Sequence, residues 1–159
     1  MKGQWDDSAL YMTTGMIRNG NQLFMYYSGY DFTHAAYDIK RDKFKGVISH
    51  VIIRLDGFVS LDSDYAGGSV VTKPLTFKGD QLNLNVETGV AGEARVELLD
   101  RYSRPITGCS LTDSDPVKGN FLEKTVTWND HSDISRFAGK PVKLHFFLRD
   151  AKLYAFEFG

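Results

Sequence analysis

The chain has 159 residues, of which 42% are hydrophobic and 25% charged, and its formal net charge is −1. A chain of this length removes roughly 68–70% of its extended surface from water on folding, so an apolar core is expected without metals or disulfides. Lys and Arg together number 19 and Asp and Glu 20, which leaves no positive surplus to attract a nucleic-acid backbone. Cys109 is the only cysteine, so no intramolecular disulfide is possible, and no Cys/His group has zinc spacing. We expect neither nucleic acid, metal nor cofactor.

No segment resembles a membrane-spanning helix or a signal peptide. The longest mostly apolar run, residues 51–59, contains Arg54 and Asp56. It is far shorter than the run of about 20 apolar residues that a membrane helix needs. The first seven residues lack the apolar run of a signal peptide. We therefore expect no membrane partner.

The first third of the chain predicts a small antiparallel sheet. Residues 10–14 and 22–27 are strand-forming runs, and Arg18-Asn19-Gly20-Asn21 between them predicts a hairpin turn because Asn and Gly tolerate positive φ. Residues 35–46 are charge-dense without alternation and indicate a long loop. Residues 47–55 predict a further strand, so residues 1–55 supply about three strands.

Residues 56–159 predict roughly eight to ten short strands with turns between them. Leu82-Asn83-Leu84-Asn85-Val86 alternates strictly, so one face is buried and the other is wet. A single short helical segment is expected at residues 132–138. Further strands are expected at 58–61, 94–98, 125–128, 142–148 and 153–158, with turns at 78–80, 89–92, 100–105 and 139–141.

Many short strands at this spacing predict an all-β fold. We expect an antiparallel two-sheet β-sandwich of jelly-roll or concanavalin-like type over residues 56–159. A propeller-blade-like antiparallel sheet over residues 1–55 precedes it. So small a sheet does not bury its own faces well, and it must pack on the sandwich, on a copy of itself or on further sheets.

A series of short motifs runs through nearly the whole chain. They include Gly3-Gln4-Trp5-Asp6-Asp7, Gly20-Asn21-Gln22-Leu23-Phe24-Met25-Tyr26-Tyr27, Asp56-Gly57-Phe58-Val59-Ser60-Leu61, Gly79-Asp80-Gln81-Leu82-Asn83-Leu84-Asn85 and Ala151-Lys152-Leu153-Tyr154-Ala155-Phe156. Together they resemble the last blade and the C-terminal β-sandwich of bacterial five-bladed β-propeller glycoside hydrolases akin to families 32 and 43. The most specific segment is Asp56-Gly57-Phe58-Val59-Ser60-Leu61, which resembles the junction between propeller and sandwich.

The resemblance implies a secreted or periplasmic parent enzyme that degrades polysaccharide. In such families the nucleophile, the transition-state stabiliser and the acid lie in earlier blades. Nothing in these 159 residues matches the Trp-Met-Asn-Asp-Pro-Asn type of nucleophile motif. Because glycoside hydrolysis requires paired carboxylates, we expect no catalytic residues here.

Candidate substrate-binding residues lie in the blade-like segment. His34 matches the blade-end histidine of the resembled families, and Asp6 belongs to their blade motif. Tyr11 and Tyr30 fall outside the sandwich alternation, as do Trp5 and Tyr37. These four aromatic residues are either a face on which further blades pack or a ligand surface on which sugars stack. Trp128 shares its strand face with Val126 and is expected in the core.

The remaining acidic and histidine residues have ordinary structural interpretations. Paired carboxylates occur at Asp62 and Asp64, at Asp113 and Asp115 and at Asp130 and Asp133. We interpret them as turn residues that cap their own backbone, with a calcium site at 62–64 or 113–115 as the weaker alternative. His50 and His145 are expected to face solvent or to be hydrogen-bonded. No nucleophile elbow or phosphate-binding glycine loop is present.

Two functions remain open at this point. The first is a non-catalytic carbohydrate-binding or structural accessory module of a glycoside hydrolase, with an oligosaccharide or polysaccharide as partner. The alternative is a fragment that completes a glycoside hydrolase active site, either by self-association through the N-terminal blade or with another chain.

Overall fold

The computed structural model describes residues 6, 8–34 and 46–159. The described residues are strands and connecting segments apart from a single 3₁₀ turn at Ser135–Phe137. The all-β antiparallel fold class expected from the sequence is confirmed. Two compact units make up the chain, Met1–Leu55 (unit 1) and Asp56–Gly159 (unit 2). The described residues contain no helix of the length and apolarity needed to span a membrane.

Unit 1 is a four-stranded antiparallel sheet. Its strands are β1 (Ala9–Met12), β2 (Ile17–Asn19), β3 (Gln22–Tyr30) and β4 (Gly46–Arg54). On one side of β3, its C-terminal half pairs with β1 and its N-terminal half pairs with β2. On the other side, the whole length of β3 pairs with β4. The predicted hairpin between β2 and β3 is confirmed, and Gly20 has φ 57° there. The short strand β2 is an addition to the three expected.

Unit 2 is a five-stranded antiparallel sheet that curls into a half-barrel. The strands are β5 (Leu61–Ser63), β6 (Gly68–Val71), β7 (Leu82–Leu99), β8 (Asn120–Thr125) and β9 (Lys143–Phe158). Their order is β5-β9-β7-β8, and β6 also pairs with β9. The expected number of eight to ten strands is wrong, because β7 and β9 are each one long strand where the sequence predicted two short ones. The strand expected at 125–128 is also misplaced, since β8 ends at Thr125.

A bulge inside β7 replaces the turn predicted at residues 89–92. Pairing with β9 continues from Thr88 opposite Ala151 to Glu93 opposite Arg149, so four residues lie opposite Asp150 alone. A Cβ atom on Gly92 would lie 2.2 Å from the backbone oxygen of Asp150. Glycine is therefore required by close approach of two backbones, which is a known reason for glycine within a strand.

The core of unit 2 lies on one face of β7 and β9. The expectation that the other face of residues 82–86 is wet is wrong, since Asn83 is 7% and Asn85 4% exposed. Side chains that point to the concave face are fully buried, among them Leu82, Leu84, Leu98, Leu144 and Phe146. Non-strand segments close the open side, contributing Phe77, Cys109, Val117, Val126, Trp128 and Ile134 to the same cluster. The core position predicted for Trp128 is confirmed, and its indole N–H donates to the carbonyl oxygen of Val96 at 2.8 Å.

Candidate functional site

The sheet of unit 1 has two chemically different faces. Side chains alternate between the faces along each strand, so the register of β3 with its neighbours decides which residues share a face. One face, which we call the aromatic face, carries Tyr11, Phe24, Tyr26, Tyr30 and His50. The ring of His50 lies 5.4 Å from that of Phe24 and 5.7 Å from that of Tyr26, measured between centroids. The rings of this face form two groups, one around His50 and one that contains Tyr11 and Tyr30, and Ser28 lies between them on β3.

The opposite face, which we call the aliphatic face, is formed by unbranched and branched apolar side chains. Among the exposed ones, Leu10 and Met12 come from β1 and Val47 and Val51 from β4. Within the described part of unit 1, Ala9 is the one buried hydrophobic residue. In the part of unit 1 that the structure describes, neither face therefore has a fully buried core of the kind found in unit 2.

Three of the four predicted site residues meet at one end of the aromatic face. The Tyr11 hydroxyl is hydrogen-bonded to Nδ1 of His34. The ring centroids of Tyr11 and Tyr30 are 5.7 Å apart with an interplanar angle of 77°, so the rings meet edge to face. Phe32 extends the group, with its ring centroid 5.0 Å from that of Tyr30. We call Tyr11, Tyr30 and His34 the Tyr–Tyr–His cluster.

The backbone holds Tyr30 in place within this cluster. Tyr30 lies opposite Gly46 in the β3–β4 register. A Cβ atom on Gly46 would lie 2.7 Å from Cε1 of Tyr30, so the ring of Tyr30 occupies the space above that glycine. Glycine at this position therefore leaves room for the ring. The side chain of Tyr11 is 43% exposed, so the cluster remains open to solvent.

Asp6, the fourth predicted residue, lies apart from the cluster. Its Oδ2 accepts a hydrogen bond of 3.0 Å from the hydroxyl of Tyr27. Tyr27 is three positions from Tyr30 along β3 and therefore points to the aliphatic face. The structure thus places Asp6 with a residue of the opposite face, and its role in substrate binding stays a prediction. Trp5 and Tyr37, considered with these residues in the sequence, lie outside the described residues.

Unit 2 contains an apolar groove that the sequence did not reveal. It has a volume of about 410 Å³, and its lining includes Val59, Leu61, Val70, Leu153 and Phe156. Leu61 lies opposite Leu153 and Val70 opposite Phe146, so the groove follows the concave side of the sheet at its β5 and β6 edge. Two phenylalanines of β9 that line the groove differ in burial, since Phe146 is buried whereas Phe156 is exposed.

A polar cleft lies on the same unit, lined by carboxylates. Its volume is about 590 Å³, and Asp62, Asp64, Glu87 and Asp150 line it together with Lys152. In the described ranges no three His, Cys, Asp or Glu side chains are placed to hold one metal ion together. Asp64 accepts a hydrogen bond of 2.9 Å from the backbone N–H of Ala66, which is the turn interaction expected for it.

The other paired carboxylates also accept hydrogen bonds. Asp113 accepts hydrogen bonds from the hydroxyl of Ser110 at 2.6 Å and from its backbone N–H at 3.1 Å. Asp115 accepts from the Thr127 hydroxyl at 2.6 Å and from the Asp130 backbone N–H at 2.9 Å. These hydrogen bonds, those from the side chains first, lower the pKa of both carboxyl groups. The turn interpretation is confirmed for Asp113, whereas it is wrong for Asp115, whose partners lie 12 and 15 residues later in the chain.

The two strand histidines have different surroundings. Nδ1 of His145 donates to Oε1 of Glu97 at 2.6 Å on the face of β9 opposite Leu144, so the expected hydrogen bond is confirmed. Glu93 on the same face of β7 accepts from Arg149 at 2.8 Å. His50 is exposed on the aromatic face, as expected. Two ion pairs, Glu97 with His145 and Glu93 with Arg149, thus connect β7 and β9.

Comparison of the chain with protein-family models, with curated proteins and with solved structures finds no match. The assignment of a function therefore depends on the geometry described above and on the sequence motifs.

Proposed function

We propose that the chain is a non-catalytic carbohydrate-binding part of a glycoside hydrolase, and that the Tyr–Tyr–His cluster forms its sugar-binding surface. The single observation that carries the proposal is the meeting of Tyr11, Tyr30 and His34 on one exposed sheet face. The motifs of the sequence, which resemble the last blade and sandwich of propeller glycosidases, suggest the parent enzyme.

The chemistry of the cluster suits a sugar ring. A pyranose presents C–H groups on its faces, which pack on aromatic rings, and hydroxyls around its edge, which need hydrogen-bond partners. Tyr11 and Tyr30 meet at 77°, so one ring supports the face of a sugar while the other borders its edge. The Tyr11 hydroxyl and the His34 imidazole both donate and accept hydrogen bonds. Binding sites for small ligands commonly combine an apolar surface with a few polar groups that fix the orientation of the ligand.

The cluster also explains why the proposed role is binding without turnover. Hydrolysis of a glycosidic bond uses two carboxyl groups on opposite sides of that bond, about 5–9.5 Å apart. The contacts within the cluster are made by phenol, phenyl and imidazole groups. The carboxylate of Asp6 is engaged with Tyr27 on the opposite face.

The proposal is tested by a glycan-array screen of the full chain, followed by calorimetric titration with the strongest glycan. We expect saturable binding. We expect Tyr11→Ala and Tyr30→Ala each to weaken it about tenfold, since each removes a large apolar surface whose burial is worth roughly 1.5 kcal/mol or more. Tyr102→Ala is the matched control, because Tyr102 is a 69% exposed tyrosine of unit 2. An absence of saturable binding, or equal losses in all three variants, would contradict the proposal.

A second candidate function follows from the exposed aliphatic face. A fragment that completes a glycoside hydrolase active site with another chain needs a surface on which that chain packs, and Leu10 and Met12 provide one. This candidate predicts slow release of nitrophenol from aryl glycosides. The release should increase with protein concentration and disappear in Met12→Lys. Glycan binding without any release supports the first proposal instead.

A further inference from the structure

Strand β4 forms an edge of the unit 1 sheet. All nine of its residues pair with β3, and in the described part of the chain no strand pairs with its other side. An unpaired strand edge presents a row of N–H and C=O groups that can pair with another strand. The edge strand of a natural sheet is usually protected by Lys, Pro, a bulge or a short length. Residues 46–53 contain none of the charged residues or proline, and the β3–β4 register is unbroken.

Two backbone hydrogen bonds show which residues of β4 direct their polar groups to the free side. The N–H of Leu55 donates to the carbonyl of Asn21 at 3.1 Å, so the odd-numbered residues of β4 bond with β3. The carbonyl of Tyr26 accepts from the N–H of Thr13 at 3.0 Å and is therefore directed away from β4. Tyr26 lies opposite His50. The N–H and C=O groups of His50 thus point to the free edge.

The same alternation places Ile48 and Ile52 with His50. These three residues direct their backbone groups outward, and their side chains share the aromatic face. Ile48 is 77% exposed and Ile52 49%. On the other face of β4, Val47 and Val51 are exposed as well. A further strand at this edge would therefore gain backbone hydrogen bonds and cover β-branched side chains on both faces.

The sequence of β4 is self-complementary about its middle residue. In an antiparallel pair centred on His50, each Ile48 lies opposite Ile52 of the other strand and each Val47 opposite Ile53. Pairs of β-branched residues across strands are favourable. This register also brings every outward-facing residue of one strand opposite an outward-facing residue of the other. It uses the full length of β4, whereas a register centred on another outward residue leaves part of the strand unpaired.

We propose that β4 pairs with β4 of a second copy of the chain, antiparallel and about a two-fold axis at His50. The result is a continuous eight-stranded sheet in which the aromatic faces of both copies lie on the same side. The partner is a second copy of the chain because this register gives both strands the same backbone hydrogen bonds and side-chain contacts, as an isologous interface requires. The edge of a nine-residue strand is smaller than a standard interface of about 800 Å² per partner, so we expect micromolar affinity.

The first test is light scattering of the full chain across the micromolar concentration range. We expect a monomer–dimer equilibrium that His50→Pro shifts to monomer, because proline removes an outward N–H without removing a hydrogen bond to β3. His50→Lys should have the same effect and keeps the backbone unchanged. Met12→Lys is the control, since Met12 is exposed on the aliphatic face and belongs to β1. It should leave the dimer intact.

The second test reads the register directly. In this pairing only residue 50 faces its own counterpart, at a Cα–Cα distance of about 5.5 Å, which is within the range for a disulfide. His50→Cys should form a covalent dimer on mild oxidation much faster than Tyr102→Cys, a control on the exposed surface of unit 2. The native Cys109 is 3% exposed, and burial raises the pKa of its thiol, so it competes poorly.

Three results would overturn the pairing. One is a wild-type chain that stays monomeric through the micromolar range. Another is a dimer that persists in His50→Pro and His50→Lys but is lost in Met12→Lys, since association then occurs through the aliphatic face. The third is equal rates of covalent dimer formation for the two cysteine variants. Glycan binding is measured separately, so its failure leaves this inference unaffected.

Discussion

The two units of the chain differ in how far they bury their apolar side chains. In unit 2 the long strands β7 and β9 curl around one core, and Leu84, Leu144 and Phe146 are almost completely shielded from water. In unit 1 four strands form a sheet whose described hydrophobic residues, apart from Ala9, keep contact with solvent. Unit 2 encloses its apolar side chains in a core, whereas unit 1 leaves most of its described apolar side chains partly exposed.

The difference supports the choice of the proposed recognition sites. Exposed apolar patches on a protein surface mark sites for ligands or other proteins. A small sheet without a covering layer is marginal in stability by itself. We therefore propose recognition roles for the Tyr–Tyr–His cluster and for the free edge of β4. The core residues of unit 2 serve packing.

The largest expected effect is the loss of a core ring from unit 2. Phe146→Ala should lower the free energy of unfolding by about 3–5 kcal/mol, because it leaves a cavity in a closed core. Phe24→Ala removes a ring of the same size from the partly exposed aromatic face of unit 1. It should cost well under half as much. Urea titration followed by hydrogen exchange of the separate strands measures both. Equal losses would mean that unit 1 has a core of its own.

The next effect distinguishes two glycines of the β7 bulge. Gly92→Ala should destabilise unit 2 by about 2–3 kcal/mol, since the new methyl meets the backbone of Asp150, which cannot move away. Gly89→Ala meets the carboxylate of Asp150, which can rotate, and should cost less. Adding Asp150→Ala should restore the stability of the Gly89→Ala variant. It should not improve the stability of the Gly92→Ala variant. Thermal unfolding of the four variants checks the order.

The smallest effect concerns a hydrogen-bonded carboxylate of unit 2. The hydroxyl of Thr127, and then the backbone N–H of Asp130, lower the pKa of Asp115. Because its folded pKa lies below its unfolded value, Asp115 contributes stability above the ordinary pKa of 3.8 and loses it as pH falls through the folded pKa. Asp115→Asn should therefore be less stable than wild type at pH 7 and converge with it towards pH 2. A gap that stays constant with pH would contradict this assignment.

Local patterns in the sequence predict where most of the strands lie, but they predict fewer of the residues at which the strands begin and end. Alternation identified the strand at 82–86, and Asn-Gly identified the hairpin before β3, because both signals act over a few residues. The two glycines of residues 89–92 led to the prediction of a turn, which is wrong because these residues form a bulge within β7. A turn and a bulge use the same residue type, and only the approach of Asp150 from a strand about 60 residues later distinguishes them.

The candidate site shows the same limit. Tyr11, Tyr30 and His34 were selected singly, and the register of β1 with β3 brings them together. Asp6 was grouped with them by its motif, but the pleat of β3 places its partner Tyr27 on the other face. The free edge of β4 and the apolar groove of unit 2 depend on which strands pair. Composition and periodicity within one segment do not contain that information.

The bulge of β7 has a practical consequence for engineering the chain. Val90 at its tip is fully exposed, while Gly92 at its base is locked against the backbone of Asp150. A protruding segment with a free tip and a fixed base accepts added residues without disturbing the strands on either side. A short epitope tag or a fluorophore-binding peptide could be inserted between Val90 and Ala91 to label unit 2 while leaving the exposed faces of unit 1 unmodified.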